Sequence, residues 1–383
     1  MKKRLQRVYI GLFLLIIGMG SILNLPKLVA NTSEIIQNNK YDAWAILIGL
    51  EYNDTFWNKY SFINLNGYLR TLLGQREMNG VIKLDCGKLV SITEEFSVYE
   101  QAQKTIDMYS FLQEEGINFA YIQMPYEVCK YDPQLPTGIE DYSNTGADVF
   151  ISLIEQEEIP LLDMREEMHK AGFQHYEAFY QTDHHWKTET AFWAYTRIGK
   201  HLEEVLGVSI PDEYTRIESW NKETIEQCML GSNGRVSSLT FGGLDDITLM
   251  YPKFDVNATL EVPMEEIYRE GDFKDTFMDY SWLEGENLYE MLQYNVYIGE
   301  DWPLTQQKCE NAPIDKKILV IKDSYFRPVQ AFLGTVVSQI DTIDMRVFDG
   351  DVKEYIRETK PDMVLLCYNP FMLQYEDNFL FEK

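Results

Sequence analysis

The alternation of short apolar stretches with amphipathic stretches restricts the fold of this chain more than any other feature. Segments such as "INFAYIQM", "KKILVI" and "DMVLLCYN" are almost continuously apolar, and stretches with helical periodicity separate them. Strands without polar alternation are buried on both faces, and strands that alternate with helices form parallel sheets covered by helices. The sequence therefore predicts an α/β fold with a central, mostly parallel sheet.

Particular elements follow from the same pattern. A helix at about 98–115 leads into a strand at 117–124, and a long helix ends at Gly207. Towards the end of the chain the pattern predicts a helix at 329–337 and a strand at 342–348.

The N-terminus, residues 1–30, predicts a membrane anchor or a signal sequence. Four basic residues precede an apolar run at 8–25, which is about the length that spans a bilayer. The positive-inside rule keeps this basic end in the cytoplasm and sends the rest of the chain outward. Leu28 and Ala30 make a poor cleavage site, so we favour a retained anchor over cleavage, which would give a secreted protein.

The rest of the chain is predicted to be a linker at 31–53 and one globular domain at 54–383. Within that domain the composition becomes aromatic and acidic at about 255–312, which we interpret as an inserted, partly β lobe.

The 61 acidic and 34 basic residues give a net charge of −27, which argues against nucleic-acid binding. Five cysteines without a CxxC pair exclude a zinc ribbon.

A serine stands where open α/β sheets collect their reactive groups. In "KKILVIKDSYFRP" a strand leads to Ser324 and then to a helix, which would place this hydroxyl at the carboxyl end of the sheet. The free N–H groups of that helix, with the N–H of Tyr325 among them, are candidate oxyanion donors. The alternative is that Ser324 only caps the helix.

The stretch "TDHHW" contains two of the five histidines. In an extended segment Asp183 and His185 lie on the same side and His184 points the other way, an arrangement that would let the carboxylate orient an imidazole for a serine. Two alternatives stay open. In one, the segment caps a helix while Trp186 packs on the core. In the other, Asp183, His184 and His185 bind a metal, although no HxxxH or HxH spacing accompanies them. We expect neither metal nor cofactor.

Five segments together carry a family resemblance. "TDHHW", "FGGLDDITLMYPKF", "VIKDSYFRP", "IDMRVF" and "KPDMVLLCYNP" occur in this order, and the chain resembles the DHHW protein family over about residues 54–371. That family is similar to the SGNH hydrolase-like proteins that O-acetylate polysaccharides, including the alginate acetylation proteins. The resemblance implies a three-layer SGNH-like fold.

The resemblance also implies roles for named residues. Ser324 would be the nucleophile, His185 the general base and Asp183 its orienting carboxylate. Asn369 is placed like the asparagine that completes the oxyanion hole of SGNH esterases, unless it is only a turn residue before Pro370. Two further candidates for substrate binding, each with a structural alternative, are Arg235 in the loop "LGSNGRV" and Trp186.

The implied function is serine-dependent acyl transfer, with acetyl as the expected group, to a cell-surface or exported polysaccharide. The implied acyl donor is a multi-pass membrane acyltransferase. An esterase would use the same triad, so the sequence does not separate the two. Two other classes stay open: a non-catalytic glycan-binding subunit of an export complex, and a metal phosphoesterase of the DHH type. A phosphoesterase of this type would need acidic metal ligands, for which the sequence offers the adjacent pair Asp245 and Asp246. An adjacent acidic pair in a loop is more typical of a solvated turn.

Overall fold

A computed structural model describes residues 58–285 and 287–382, together with seven isolated positions between 11 and 23. The chain divides into two compact units, Met1–Leu72 and Leu73–Lys383. The predicted linker at 31–53 and most of the predicted anchor or signal at 1–30 lie outside the described residues. Within the described part of the chain, no helix has both the length and the apolar character needed to cross a bilayer.

Eleven helices and thirteen strands are described, one helix in the first unit and the others in the second. The helices are α1 (Lys59–Leu72), α2 (Tyr99–Glu115), α3 (Ser143–Glu155), α4 (Met164–Lys170), α5 (Thr188–Leu206), α6 (Asp212–Thr215), α7 (Ser232–Val236), α8 (Leu239–Gly242), α9 (Phe273–Phe277), α10 (Phe326–Leu333) and α11 (Val352–Thr359). The strands are β1 (Glu77–Met78), β2 (Val81–Lys83), β3 (Leu89–Ser91), β4 (Asn118–Gln123), β5 (Leu161–Asp163), β6 (Trp220–Met229), β7 (Asp245–Pro252), β8 (Ala258–Val262), β9 (Ile267–Gly271), β10 (Leu304–Cys309), β11 (Ile314–Lys322), β12 (Val337–Ile343) and β13 (Met363–Tyr368).

An eight-stranded sheet organises the second unit. Its strand order is β5-β4-β13-β11-β12-β10-β8-β9, and the first five strands in this order are parallel. The carboxyl ends of these five strands therefore lie along one edge of the sheet. This architecture confirms the predicted α/β fold with its large, mostly parallel sheet.

Both faces of the sheet are buried. On β11, Ile318 and Val320 belong to one apolar cluster, whereas Leu319 and Ile321 belong to another, and all four side chains are fully buried. Side chains alternate between the two faces of a strand, so the two clusters lie on opposite sides of the sheet. The near-continuous apolar run in the sequence has this physical origin.

The aromatic and acidic segment at 255–312 extends the same sheet. It contains β8, β9 and β10, and β10 pairs with β12 in the antiparallel sense. The segment is thus partly β, as predicted. The boundaries proposed for the domains stay a prediction.

Most elements match the pattern, with one clear error. The predicted strand at 342–348 is wrong, because β12 is Val337–Ile343. Its parallel register pairs Ile321, near the end of β11, with Ile343. The following residues therefore lie beyond the sheet, at the carboxyl edge.

Candidate active site

Four neighbouring parallel strands deliver polar side chains to one cleft. Ser324 follows β11 and Asn369 follows β13, while Glu127 and Arg346 come from the segments after β4 and β12. All four residues line a cleft of about 560 Å³. The carboxyl edge of the sheet is where this fold class places its ligands.

Ser324 lies in the turn between β11 and α10, and its side chain points at a histidine. Its Oγ is 2.7 Å from Nε2 of His185. Helix α10 has no side-chain cap hydrogen bond. The alternative in which Ser324 only caps the helix is therefore not observed.

Asp183 and His185 continue the chain of hydrogen bonds. Nδ1 of His185 is 2.5 Å from Oδ1 of Asp183, and the backbone N–H of His185 donates to the same oxygen at 2.9 Å. All three side chains in the chain, from Asp183 to Ser324, are buried. An Nδ1–H that donates to the carboxylate leaves the Nε2 lone pair free to accept the serine proton.

Burial and charge set the protonation states of this pair. Burial is the main cause that lowers the pKa of His185 to about 3. Burial alone would raise the pKa of Asp183, but the two adjacent imidazoles and hydrogen bonds from His185 and Ser232 hold it well below its usual range. At neutral pH the pair is a carboxylate beside a neutral imidazole, which is the form that a general base needs.

The segment "LGSNGRV", in which the sequence offered only Arg235 as a candidate, holds Asp183 in place. The backbone N–H and the hydroxyl of Ser232 donate to Oδ2 of Asp183 at 2.6 and 3.0 Å. Gly231 approaches so closely that an added β-carbon would lie 2.2 Å from Cβ of Asp183. Apart from the glycine itself, no local pattern in the sequence predicts this contact.

Asp245 supports the same segment from the other side. Its carboxylate accepts hydrogen bonds from the N–H groups of Gln181 and Thr182 and from the Thr182 hydroxyl, at 2.6 to 2.7 Å. Asp245 is buried, so the interpretation of a solvated turn is wrong for this residue.

His184 does not point away from the site as predicted, because it lines the same cleft as Ser324. Its ring centroid lies 3.9 Å from that of His185. One ligand atom each of Asp183, His184 and His185 lies within 4.8 Å of the others, the only such group of three in the described part of the chain. Both ring nitrogens of His185 are already used, because Nδ1 is hydrogen-bonded to Asp183 and Nε2 to Ser324. We therefore do not assign a metal to this group.

The two predicted oxyanion residues surround Asp323. The backbone N–H and side-chain amide of Asn369 donate to Oδ2 of Asp323 at 2.7 and 2.8 Å. The N–H of Tyr325 donates to Oδ1 of the same carboxylate at 2.9 Å. This bond occupies the Tyr325 N–H, so in this structure it cannot serve as the predicted oxyanion donor.

Neither predicted substrate-binding residue reaches the cleft. Trp186 is completely buried, and its indole N–H donates to the Tyr325 carbonyl at 3.1 Å, so it has no surface on which a sugar could stack. Arg235 lies in α7 and is absent from the cleft lining, whereas Asn233 in the same helix is part of it.

The cation of the cleft is Arg346, which sequence reasoning missed. Asp344 binds its guanidinium at 2.9 and 2.5 Å, and Asp301 adds a contact at 3.0 Å. The misplaced strand at 342–348 explains the omission, because a correct strand end at Ile343 would have put Arg346 at the carboxyl edge.

Part of the chain is similar to a known family. Residues 91–227 match a family model described as "SGNH hydrolase-like domain, acetyltransferase AlgX". The resemblance noted in the sequence is thereby confirmed. No curated protein matches the chain by sequence.

Solved structures share the fold of this chain. PatB1 of Bacillus cereus superposes with a TM-score of 0.66 at 19% identity, covering 79% of this chain and 99% of that chain. Its sulfonyl adduct gives the same TM-score. A DHHW family protein from Eubacterium siraeum has a TM-score of 0.56 at 18% identity, covering 79% of this chain and 95% of that chain.

Proposed function

We propose that this protein is a serine-dependent acyltransferase that acts through an acyl-serine intermediate. The observation that carries the proposal is the buried chain of hydrogen bonds from Asp183 through His185 to Ser324. Nε2 of His185 takes the serine proton while Oγ attacks the carbonyl carbon of an acyl ester. The tetrahedral intermediate then collapses, His185 returns the proton to the leaving alcohol, and the acyl group stays on Ser324.

Transfer reverses these steps with a new alcohol. A hydroxyl of the acceptor gives its proton to His185 and attacks the acyl-serine, and Ser324 leaves with that proton. If water takes the place of the acceptor, the same triad hydrolyses the ester. The two outcomes differ only in how the acceptor is bound and how water is excluded.

We assign the oxyanion to two groups other than the Tyr325 N–H. The backbone N–H of Ser324 has no hydrogen-bond acceptor among the described residues. The side-chain amide of Asn369 donates one hydrogen to Asp323 and has a second one to offer, and Asn369 lines the cleft. Two such donors would hold the negative oxygen as it forms.

The rim of the cleft supports a sugar as the acceptor. Phe371 and Tyr375 are 37% and 49% exposed, both line the cleft, and their ring centroids lie 5.4 Å apart. Exposed aromatic faces beside polar groups suit the apolar face and the hydroxyls of a pyranose ring. We propose a polysaccharide acceptor and acetyl as the acyl group.

The proposal also includes where the reaction takes place and which protein supplies the acyl group. The basic N-terminus and the apolar run at 8–25 support a domain held outside the cell by a membrane anchor. We propose that a multi-pass membrane acyltransferase supplies the acyl group to this domain, as the resemblance implies.

A transfer assay tests the function. The purified protein is incubated with an activated acetyl ester and a panel of polysaccharide-derived oligosaccharides, and mass spectrometry follows acetylated sugar and free acetate. We expect acetylated sugar with at least one acceptor and none with Ser324→Ala. Phe371→Ala should raise the acceptor KM more than it lowers kcat. Acetate alone with every acceptor would make the protein an esterase, and no turnover would reject both.

A further inference from the structure

The inserted aromatic segment, which the proposed reaction does not use, reaches the catalytic base. Tyr294 lies in the 3₁₀ turn Gln293–Val296, and its ring stacks on the imidazole of His185 with centroids 3.7 Å apart and planes 11° apart. Tyr294 is 3% exposed. His184 lies beside the same imidazole, at 3.9 Å. The ring of His185 is thus held by aromatic neighbours as well as by Asp183 and Ser324.

The same segment also holds the helix that follows the nucleophile. Arg327, three residues after Ser324, donates to the side chain of Asn295 at 2.5 Å and to the Gly299 carbonyl at 2.9 Å. Its guanidinium carbon lies 5.0 Å from the ring centroid of Tyr294. The base and the nucleophile helix therefore contact the same short segment, the base through Tyr294 and the helix through Asn295 and Gly299.

We propose that Tyr294 is a positioning residue that fixes the ring plane of His185 and stabilises its protonated form during proton transfer. The inference rests on the proposed function. A ring held on one face by a buried aromatic cannot rotate out of line with Ser324 without losing that contact. The imidazolium that forms as the serine loses its proton faces the negative π surface of Tyr294.

The charged and titratable neighbours of His185 define what Tyr294 adds. They include Asp183, His184, Tyr325, Arg327 and Asp301, and the neutral hydroxyl of Ser324 also contacts the ring. Of these, only Asp183 and Asp301 carry negative charge, and Asp301 is engaged by three cations. The face of Tyr294 is therefore a source of attraction for the imidazolium that costs no additional buried charge.

The test is the rate at which a sulfonyl fluoride labels Ser324, because this reaction needs the activated serine and no acceptor. Tyr294→Leu should label roughly thirtyfold more slowly, the size expected for a desolvated cation–π contact. Tyr294→Phe keeps the ring and should label at nearly the wild-type rate. Tyr297→Leu is the matched control. Tyr297 is also a buried tyrosine, three residues away, but its hydroxyl donates a hydrogen bond to the Met250 carbonyl.

The outcomes separate the two proposals. If Tyr294→Leu labels as fast as the wild type, or if Tyr297→Leu is slowed equally, Tyr294 has no specific role and the inference is overturned. A wild-type protein that is not labelled at all rejects the proposed function and this inference with it. If Tyr294→Leu melts too low for the assay, Tyr294→Met fills the space with a flexible apolar side chain and carries the same expectation.

Discussion

At the scale of single residues, His185 combines two opposing influences. Burial disfavours its charged form and lowers its pKa to about 3, whereas Asp183 and the face of Tyr294 favour that form. The result is an imidazole that is neutral at rest and supported when it takes a proton. A base of this kind needs no change in the surrounding structure to begin the reaction.

Because His185 is buried in its neutral form, the free energy of unfolding should depend on pH. Unfolded His185 takes up a proton near its ordinary pKa of about 6.5, whereas in the folded state the pKa is about 3. Below pH 6.5 the unfolded state therefore binds more protons, and stability falls as the pH falls. In His185→Gln this contribution is absent, so the free energy of unfolding should depend less steeply on pH between 6.5 and 4.

Urea unfolding of both proteins at several pH values measures this difference. One titrating group changes the slope by at most about 1.4 kcal/mol per pH unit. Equal slopes in the two proteins would mean that His185 is not buried in its neutral form.

At the scale of elements, the ends of parallel strands explain what the sequence could predict. Apolar runs located β4, β11 and β13, so Ser324 and Asn369 were found as residues that follow strands. Apolar residues occur on both sides of the true strand end at Ile343, so the strand was predicted at 342–348 and Arg346 was placed inside it. Contacts such as Gly231 on Asp183 join loops far apart in sequence, and no local pattern encodes them.

The loop of Gly231 gives a prediction at this scale. Gly231→Ala would place a methyl group against Asp183 and displace its carboxylate from His185. Misplacement by about 1 Å can cost on the order of a hundredfold in rate, so we expect a large loss of kcat for a small acetyl ester with little change in KM.

Ser232→Ala is the milder comparison for this loop. It removes the hydroxyl contact with Asp183 at 3.0 Å and keeps the N–H contact at 2.6 Å, so it should lose much less activity than Gly231→Ala. Full activity in Gly231→Ala, with an unchanged melting temperature, would show that the position of Asp183 does not limit the reaction.

At the scale of the whole molecule, the second unit assembles its site from distant parts of the chain. Asp183 and His185 precede α5, Ser324 follows β11, and Tyr294 comes from the segment that extends the sheet beyond β12. The parallel half of the sheet presents the nucleophile, and the antiparallel half contributes the segment that supports the base. Together these parts activate Ser324 in the proposed reaction.

Intact-mass spectrometry of the purified protein, after incubation with an activated acetyl ester, measures whether the triad activates Ser324. We expect one added acetyl group, which peptide mapping places on Ser324. We also expect that the adduct is lost in Ser324→Ala and forms far more slowly in His185→Gln. An adduct that persists in Ser324→Ala, or one that forms equally fast without His185, would show that the triad does not activate Ser324.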